Sequence, residues 1–208
     1  MSLSLTKPQI YNLTLSALLL GKEVVDPVTD KSSEVRILNL HWNVALYDFL
    51  ADLDLDSLAT SVTLELIEEL DETYEWTHAY KYPSNCAFFR RIKSGHVTDN
   101  VYTHIDKKIG VHGGFKAIFT NEPDAVAEIL PDDFSLGLLS APAGMALAYK
   151  IAELCAPLIV GKGARTLVND IRELYVMYKM KAQEIDAAEN FRYENEALRS
   201  EFVQARTE

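Results

Sequence analysis

The sequence has few cysteines, which limits the kinds of fold it can adopt. Only two occur in 208 residues, Cys86 and Cys155, and they form no CxxC pair. A disulfide framework or a zinc site is therefore not expected. Both residues are interpreted as small, buried apolar side chains.

A long uninterrupted apolar run is also missing. Proline and charged residues break the most apolar stretch, Leu136 to Val160, at Pro142, Lys150 and Pro157. This argues against a membrane span. The start, MSLSLTKPQIY, lacks the charged lead and apolar core of a signal peptide. We therefore expect a protein made in a cytoplasm, with no membrane partner.

Positive charge is scarce. Lys and Arg total 20 against 31 Asp and Glu, which gives a net charge of −11. DNA-binding domains usually present a basic face, so nucleic-acid recognition is not expected as the main function. Hydrophobic residues make up 48% and charged residues 25%, the balance of a soluble globular protein.

Helical patterns occupy the first part of the chain. Thr6 is a predicted N-cap, Pro8 lies in the first turn, and Gly21 is predicted to end the first helix. Asp30 or Ser32 can cap the second helix. Its predicted inner stripe comprises Val35, Leu38, Trp42, Ala45, Leu46, Phe49 and Leu50.

Between about Leu58 and Leu130 the apolar pattern changes to that of short strands. Alternation begins in the segment from Val62 to Ile67, and Trp76 and Tyr80 belong to an aromatic run. Further strands are predicted at Cys86 to Ile92, Val101 to Ile105 and Lys116 to Phe119, with turns at Ser94-Gly95 and at His112-Gly113-Gly114. A small, mostly antiparallel β region is expected.

Helical patterns return in the last third. An alanine-rich helix is predicted from Ser140 until Pro157 ends it, and a longer helix from Gly163 to Ala187. We interpret GKGART, residues 161–166, as the turn between them, in which Gly163 frees the backbone. The last residues are charged with isolated aromatic side chains, and they are predicted to form a tail or an arm that folds onto a partner.

The predicted fold class is therefore α+β: a four-helix bundle with an inserted small antiparallel β domain and an extended C-terminal arm. The predicted domains are a helical hairpin at 1–57, the β insertion at 58–133, a second helical hairpin at 134–187, and the arm at 188–208.

Patterns that carry chemistry are weak. DLDLD, residues 52–56, lacks the glycine and closing glutamate of a calcium loop. The carboxylates of residues 65–72 are interpreted as a solvated face, and GKGART lacks the upstream glycine of a phosphate loop. We predict no enzyme, cofactor or metal. A hydrolase or nuclease that uses the 65–72 carboxylates is kept as an alternative.

The large side chains are aromatic. Trp76 and Phe88 are expected in the core, whereas Tyr82 and Phe89 could lie in the core or in an interface. An alternative function that follows from such surfaces alone is a cytosolic helical protein–protein interaction adaptor that is unrelated to virions.

The order of these features resembles the tail tubular protein A, or head-to-tail adaptor (connector), family of short-tailed bacteriophages. The segment EWTHAYKYPSNCAFFRRI is similar to the family's pattern, with Trp76, Ala79, Tyr80, Pro83 and Cys86 at the matching positions. The similarity covers most of the chain and includes TKPQIYNLTLSALLLG, SSEVRILNLHWNVALYDFL, AIFTNEPDAVAEIL and ALAYKIAELCAPLIVGK. It departs in ADLDLDSLATSV, which lacks the expected Trp-x-Phe-Ala stretch.

The resemblance implies a structural virion protein. Such a protein forms a dodecameric ring, a homo-oligomer that joins the portal protein to the tail nozzle, which resembles tail tubular protein B. The genomic DNA passes through the ring without specific binding, and the acidic balance would let it slide. Tail fibres are a further candidate partner, and the location is the portal–tail junction of the virion.

The resemblance also assigns roles to residues. In the arm, Phe191, Tyr193, Phe202 and Arg206 would bind the portal. Arg165 and Arg172 would meet carboxylates of a neighbouring subunit. Tyr82, Phe89, Arg90 and Arg91 would face the tail. Trp76 and Tyr80 would share one strand face against the helices, and Cys86 to Ile92 would return as the partner strand.

Overall fold

The computed structural model describes residues 5–71, 74–94 and 105–204, and of residues 94 and 190–204 it describes only the backbone. The chain contains helices and antiparallel sheets and is therefore of the mixed α+β class. It divides into two compact units. The helical unit comprises Met1–Leu58 and Phe134–Glu208, and the β unit comprises Ala59–Asp133.

The described elements are as follows. The helices are α1 (Lys7–Ala17), α2 (Ser33–Leu53), α3 (Ala141–Ile159) and α4 (Ala164–Gln204). The strands are β1 (Thr60–Thr63), β2 (Leu66–Glu69), β3 (His78–Lys81), β4 (Cys86–Ser94), β5 (Lys108–His112), β6 (Phe115–Thr120) and β7 (Ala125–Pro131).

The N-terminal ends of the first two helices follow the predicted caps. Thr6 is the N-cap of α1, and its backbone N–H donates to Oε1 of Gln9 at 2.9 Å. Ser32, rather than Asp30, caps α2, and its hydroxyl accepts from the backbone N–H of Val35 at 3.5 Å. Local capping chemistry therefore sets where these helices begin.

The predicted end of α1 at Gly21 is wrong. The helix ends at Ala17, and Leu19 takes the left-handed conformation with φ 60°. The N–H of Leu20 donates to the carbonyl of Leu15 at 2.9 Å, which closes the helix before the glycine is reached. The hydrogen-bonded end therefore overrides the preference for glycine.

α3 is the central helix of the helical unit, since it packs against α1, α2 and α4. Its small side chains allow this, and the Thr14 hydroxyl of α1 donates to the Ala148 carbonyl at 3.2 Å. The prediction that Pro157 ends α3 is wrong because the helix continues to Ile159. A proline in the last turn removes only its own N–H donor, and Val160 N–H still reaches the Ala156 carbonyl.

Two predictions about α4 are also corrected. The residue with the unusual backbone in the preceding turn is Gly161, with φ 71°, and not Gly163. The helix does not end near Ala187 but continues to Gln204, so the backbone of the predicted arm is helical to that residue. No proline or glycine interrupts 188–204, and helix-forming Ala, Glu, Leu and Arg are common there.

The β unit contains two antiparallel sheets. One has the order β1-β7-β4, and the other has the order β2-β3-β6-β5. The predicted strands at Cys86 to Ile92 and Lys116 to Phe119 are confirmed as parts of β4 and β6, and the turn at Gly113-Gly114 is confirmed between β5 and β6. Residues 101–104 of another predicted strand, and Gly95 of a predicted turn, lie outside the described residues.

The predicted pairing of the aromatic segment with the Cys86 strand is wrong. β3 pairs with β2 and β6, whereas β4 pairs with β7 in the other sheet. Pro83 lies in the link between β3 and β4, where the chain leaves one sheet for the other instead of forming a hairpin. Side chains of both sheets meet in one core cluster: Leu64, Tyr80, Ile92, Ile118, Ala125, Ala127 and Ile129.

Tyr80 and Trp76 do not share a strand face against the helices, as had been expected. Tyr80 belongs to the β-unit core, and its hydroxyl donates to the Glu122 carbonyl at 2.9 Å. Trp76 precedes β3, which begins at His78. The even spacing was therefore misleading, because the strand is shorter than the aromatic run.

Candidate interaction surfaces

Two aromatic rings of the β unit are each covered by a lysine. The rings of Tyr82 and Phe89 lie 5.9 Å apart at a tilted angle. The Lys116 ammonium is 3.4 Å from the centroid of the Tyr82 ring, and the Lys107 ammonium is 4.2 Å from that of Phe89. Cation–π attraction holds both lysines against the rings. We call these four residues, together with Cys86, the lysine–aromatic cluster.

Hydrogen bonds fix this cluster from within. The Cys86 thiol donates to the Tyr82 hydroxyl at 3.3 Å, and Nζ of Lys107 donates to the Arg90 carbonyl at 2.7 Å. Burial raises the pKa of the Tyr82 and Cys86 side chains and lowers the pKa of Lys107. Tyr82 and Phe89, predicted to face the tail, are therefore half-buried and packed against the β-unit core.

Arg90 and Arg91, which were also predicted to face the tail, converge on one buried carboxylate. Arg91 Nε and Nη2 each lie 3.1 Å from an oxygen of Glu128 on β7, and Arg90 Nη1 lies 3.1 Å from Oε1. Lys93 forms a third ion pair with Glu128. An irregularity in the β4–β7 register between Phe89 and Arg91 lets consecutive arginines reach the same side chain.

The environment of Glu128 favours its charged form. Burial alone would raise the pKa of this carboxyl, but hydrogen bonds from Lys93 and Arg91 hold the pKa below its ordinary value. The Glu128 side chain is 6% exposed, and that of Arg91 is 43% exposed. The Glu128 carboxylate is thus buried, while part of the Arg91 side chain is exposed at the surface.

The two arginines predicted to meet a neighbour lie on α4. Arg165 is exposed at the start of that helix. Nε of Arg172 lies 2.5 Å from Oε1 of Glu153 on α3, so this arginine has a carboxylate partner within its own chain. With 61% of its side chain exposed, Arg172 still presents part of its guanidinium to the surface.

Two helices carry exposed apolar patches. On α2, Leu40, Val44 and Tyr47 are exposed and follow a helical spacing of four and three residues. We call these residues the α2 patch. The spacing places them on the side of α2 opposite the buried stripe that includes Val35 and Phe49.

The second patch lies on α4. Val176, Met177 and Met180 are exposed there, and we call them the α4 patch. The buried residues of the same helix, such as Ile171 and Tyr175, fall on its other side. Exposed apolar side chains at helical spacing on two elements indicate contact surfaces.

A partly exposed polar network joins α2, α3 and α4 of the helical unit. The Tyr175 hydroxyl donates to Asp52 Oδ2 at 2.7 Å, and Lys150 Nζ is 3.6 Å from carboxylate oxygens of both Asp48 and Asp52. Burial would raise the pKa of Asp52, but the Tyr175 hydrogen bond and nearby lysines hold it below its ordinary value. The network fixes the end of α2 against α4.

Residues of α4 that precede the predicted arm also form hydrogen bonds with the C-terminal end of α2 and the residues after it. Asp186 accepts backbone N–H bonds from Asp56 at 2.7 Å and from Ser57 at 2.9 Å, and Gln183 donates to the Leu53 carbonyl. Beyond Asp186, the side chains at 187–189 are exposed. The last described side chains before the predicted arm are therefore exposed, and the helical backbone continues beyond them.

Four predicted portal contacts fall where the structure does not describe side chains. The backbone of Phe191, Tyr193 and Phe202 is helical, but their side chains lie outside the described part, and Arg206 lies outside it entirely.

The motifs considered for chemistry have other roles. Only the first half of GKGART, Gly161–Gly163, forms the turn between α3 and α4, and residues 164–166 begin α4. In DLDLD the side chains of Leu53 and Leu55 are buried. Glu65 and Glu68 are exposed and pair with Lys81 and His112. Within 5–71, 74–94 and 105–204, no three His, Cys, Asp or Glu residues are placed to hold a metal ion. In the same ranges, none of the helices has the length and apolarity that crossing a membrane requires.

Sequence reasoning missed Glu128, Lys107 and Lys116. A signal existed for Glu128, since it is the one charged residue in the apolar strand AVAEIL. Nothing in the sequence indicated the two lysines, because each reaches its ring from a different strand region.

The chain was compared with family models and with curated proteins. A scan against models of known protein families finds no match to the chain, and a search of curated proteins finds none either.

Proposed function

We propose that this chain is the head-to-tail adaptor of a short-tailed bacteriophage, a structural virion protein rather than an enzyme. In this proposal, twelve copies form a ring that joins the portal to the tail nozzle, and the genome passes through it. The helices form the bundle into which the β unit is inserted.

One observation carries the proposal: the order of elements agrees with the order of sequence features that resemble the adaptor family. Among the described residues, α1 and α2 come first, then the antiparallel strands β1 to β7, then α3 and α4, and the sequence has a charged end. The division of the chain also supports it, since the helical unit consists of segments from both ends and the β unit of the middle.

The exposed helix faces support the ring. A ring that closes needs two different surfaces on each subunit that fit one another. The α2 patch and the α4 patch are two such surfaces on one unit. Their side chains are apolar, as the centres of subunit interfaces are.

The end of α4 is the proposed portal-binding segment. Phe191, Tyr193 and Phe202 are aromatic anchors in an otherwise charged sequence, and such anchors dominate binding energy in interfaces. The side chains of residues 187–189, just before the first of these anchors, are exposed. The tail-facing role of the β unit, including Arg90 and Arg91, belongs to the same proposal.

A binding experiment tests this function. Full-length chain and a chain that ends at Ala187 are each mixed with the cognate portal ring, and co-sedimentation is measured. We expect the full-length chain to sediment with the portal. The shortened chain should stay in the supernatant and keep a cooperative thermal unfolding transition, with less helical signal because residues 188–204 of α4 are removed. If the full-length chain does not bind the portal but binds other cytosolic proteins, the result would instead favour the alternative function, a cytosolic protein–protein interaction adaptor that is unrelated to virions.

A further inference from the structure

We propose that neighbouring copies of this chain bind one another through two different helix faces, with the α2 patch of one copy against the α4 patch of the next. The inference names the subunit contact within the proposed ring and rests on that proposed function. It is carried by the exposure, spacing and charges of the two patches.

The α2 patch is suited to an interface. Leu40 is 72% exposed, Val44 53% and Tyr47 44%, although all three are large apolar side chains. Tyr47 offers a broad, stiff surface of the kind that is enriched at interface centres. No charged residue separates these three along the outer face, since the positions between Leu40 and Tyr47 carry His41, Trp42 and neutral side chains.

The α4 patch has a complementary character. Met180 is 65% exposed, Val176 52% and Met177 38%. Methionine side chains are flexible and fill irregular gaps, so they can adapt to the stiffer Leu, Val and Tyr side chains of the α2 patch. The α2 patch extends over about two helical turns and the α4 patch over little more than one, so the shorter patch can be covered completely by the longer.

Charges at the ends of the patches decide which pairing is favoured. Arg36 lies one helical turn before the α2 patch, whereas Glu173 and Glu184 lie one turn before and one turn after the α4 patch. In the part of the chain that the structure describes, none of these three forms an ion pair. Asp48 lies one turn after Val44 on α2, and the exposed Arg172 lies next to Glu173 on α4. An antiparallel contact of α2 with α4 therefore sets Arg36 against Glu184 and Asp48 against Arg172, at the two ends of an apolar contact.

Pairing like with like is less favourable. Two α4 patches would bring the glutamates of both copies to the same contact, where like charges repel. Two α2 patches would also set Arg36 against Asp48 of the partner, but this pairing would leave the apolar α4 patch of both copies exposed. A contact between different faces also generates a ring when its rotation closes.

Cross-linking tests the contact directly. A Val44→Cys/Met180→Cys variant in a Cys86→Ser background is treated with a short bismaleimide, with and without portal, and run on a denaturing gel. Cys155 stays because it is buried. The matched control is Val28→Cys/Leu138→Cys, at two exposed apolar positions outside both patches.

We expect the Val44/Met180 pair to give a ladder of multimers, while each single variant and the control pair give monomers. Cross-linked dimers from Val44→Cys alone or Met180→Cys alone would overturn the inference, because they require identical faces to meet. We also expect Arg36→Glu to reduce the ladder about tenfold and Glu184→Arg to restore it. No reduction by Arg36→Glu would overturn the charge-paired contact.

The same samples separate the inference from the function. Rings on the portal seen by electron microscopy, without a ladder, would overturn the inference and leave the proposed function standing. A ladder from a chain that never joins the portal would support the α2–α4 contact and contradict the adaptor function. Neither rings nor ladder would overturn both.

Discussion

The guanidinium of Arg91 lies side by side with the carboxylate of Glu128 across strands β4 and β7. Nε is 3.1 Å from one carboxylate oxygen, and Nη2 is 3.1 Å from the other. This two-point geometry is the strongest form of ion pair between side chains. Because Glu128 also binds Arg90 and Lys93, one carboxylate connects three cations of the β unit.

Loss of the Glu128 charge should destabilise the protein. Glu128→Gln removes the charge that Arg90, Arg91 and Lys93 share. Because the side chains of Glu128 and Arg90 are only 6% and 14% exposed, we expect the free energy of unfolding to fall by about 3 kcal/mol. Urea unfolding followed by circular dichroism measures this. Glu65→Gln is the matched control, since its ion pair with Lys81 is largely exposed. That variant should change stability by less than about 1 kcal/mol.

The same pair predicts a pH dependence. The folded-state pKa of Glu128 lies below the ordinary value of 4.5, so its charge stabilises the fold above that pH. This stability is lost as the pH falls towards the lowered pKa. The difference in unfolding free energy between wild type and Glu128→Gln should therefore be largest near neutral pH and shrink below 4.5. A difference that is constant from pH 7 to pH 3 would contradict this prediction.

The polar network of Tyr175, Asp52 and Lys150 in the helical unit gives a second test of stability. Tyr175→Phe removes the hydroxyl that donates to Asp52, and since the Asp52 side chain is 42% exposed we expect a modest cost. The expected loss is about 1 kcal/mol of unfolding free energy. Tyr178→Phe is the control, because the Tyr178 ring stacks on Tyr149 and keeps that contact without its hydroxyl. Equal losses in both variants would argue against the hydrogen bond.

The turn between α3 and α4 provides a backbone test. Gly161 has φ 71°, where a side chain is strained, whereas Gly163 in the same turn has an ordinary φ. Gly161→Ala should lower the free energy of unfolding by about 1 kcal/mol, and Gly163→Ala should not lower it. Thermal unfolding of the two variants side by side measures the difference. If Gly163→Ala were the more damaging change, the position of the strained residue would be wrong.

Helix starts could be predicted from the sequence because their causes are local. Thr6 with Gln9 and Ser32 with Val35 form short-range hydrogen bonds that a reader of the sequence can anticipate. Helix ends were harder. α1 ends at Ala17 with Leu19, rather than Gly21, in the left-handed conformation, and Pro157 is tolerated inside α3. Backbone hydrogen bonds near each end outweigh the preferences of single residues.

Strand pairing could not be derived from the sequence. Local patterns identified β4 and β6, but the partner of β4 is β7, some 40 residues along the chain from its start. The resemblance implied that Cys86 to Ile92 would pair with the strand of Trp76 and Tyr80, whereas the observed pairings place β3 and β4 in different sheets. Non-local pairings of this kind are set by the fold as a whole.

The candidate surfaces were partly predictable. The exposed positions Leu40, Val44 and Tyr47 follow from the inner stripe of α2, because the outer face is what remains. By contrast, Arg90 and Arg91 were expected at a tail-facing surface and instead bind Glu128. The two arginines were visible in the sequence, but the sequence did not indicate that the carboxylate of Glu128, on another strand, would bind both of them.

Electron microscopy of the chain bound to its cognate portal tests the central proposal most directly. The account predicts a collar of twelve copies on the tail side of the portal, with the C-terminal end of α4 against the portal and an open channel along the axis. A portal without added density, or a collar in which the end of α4 points away from the portal, would contradict it.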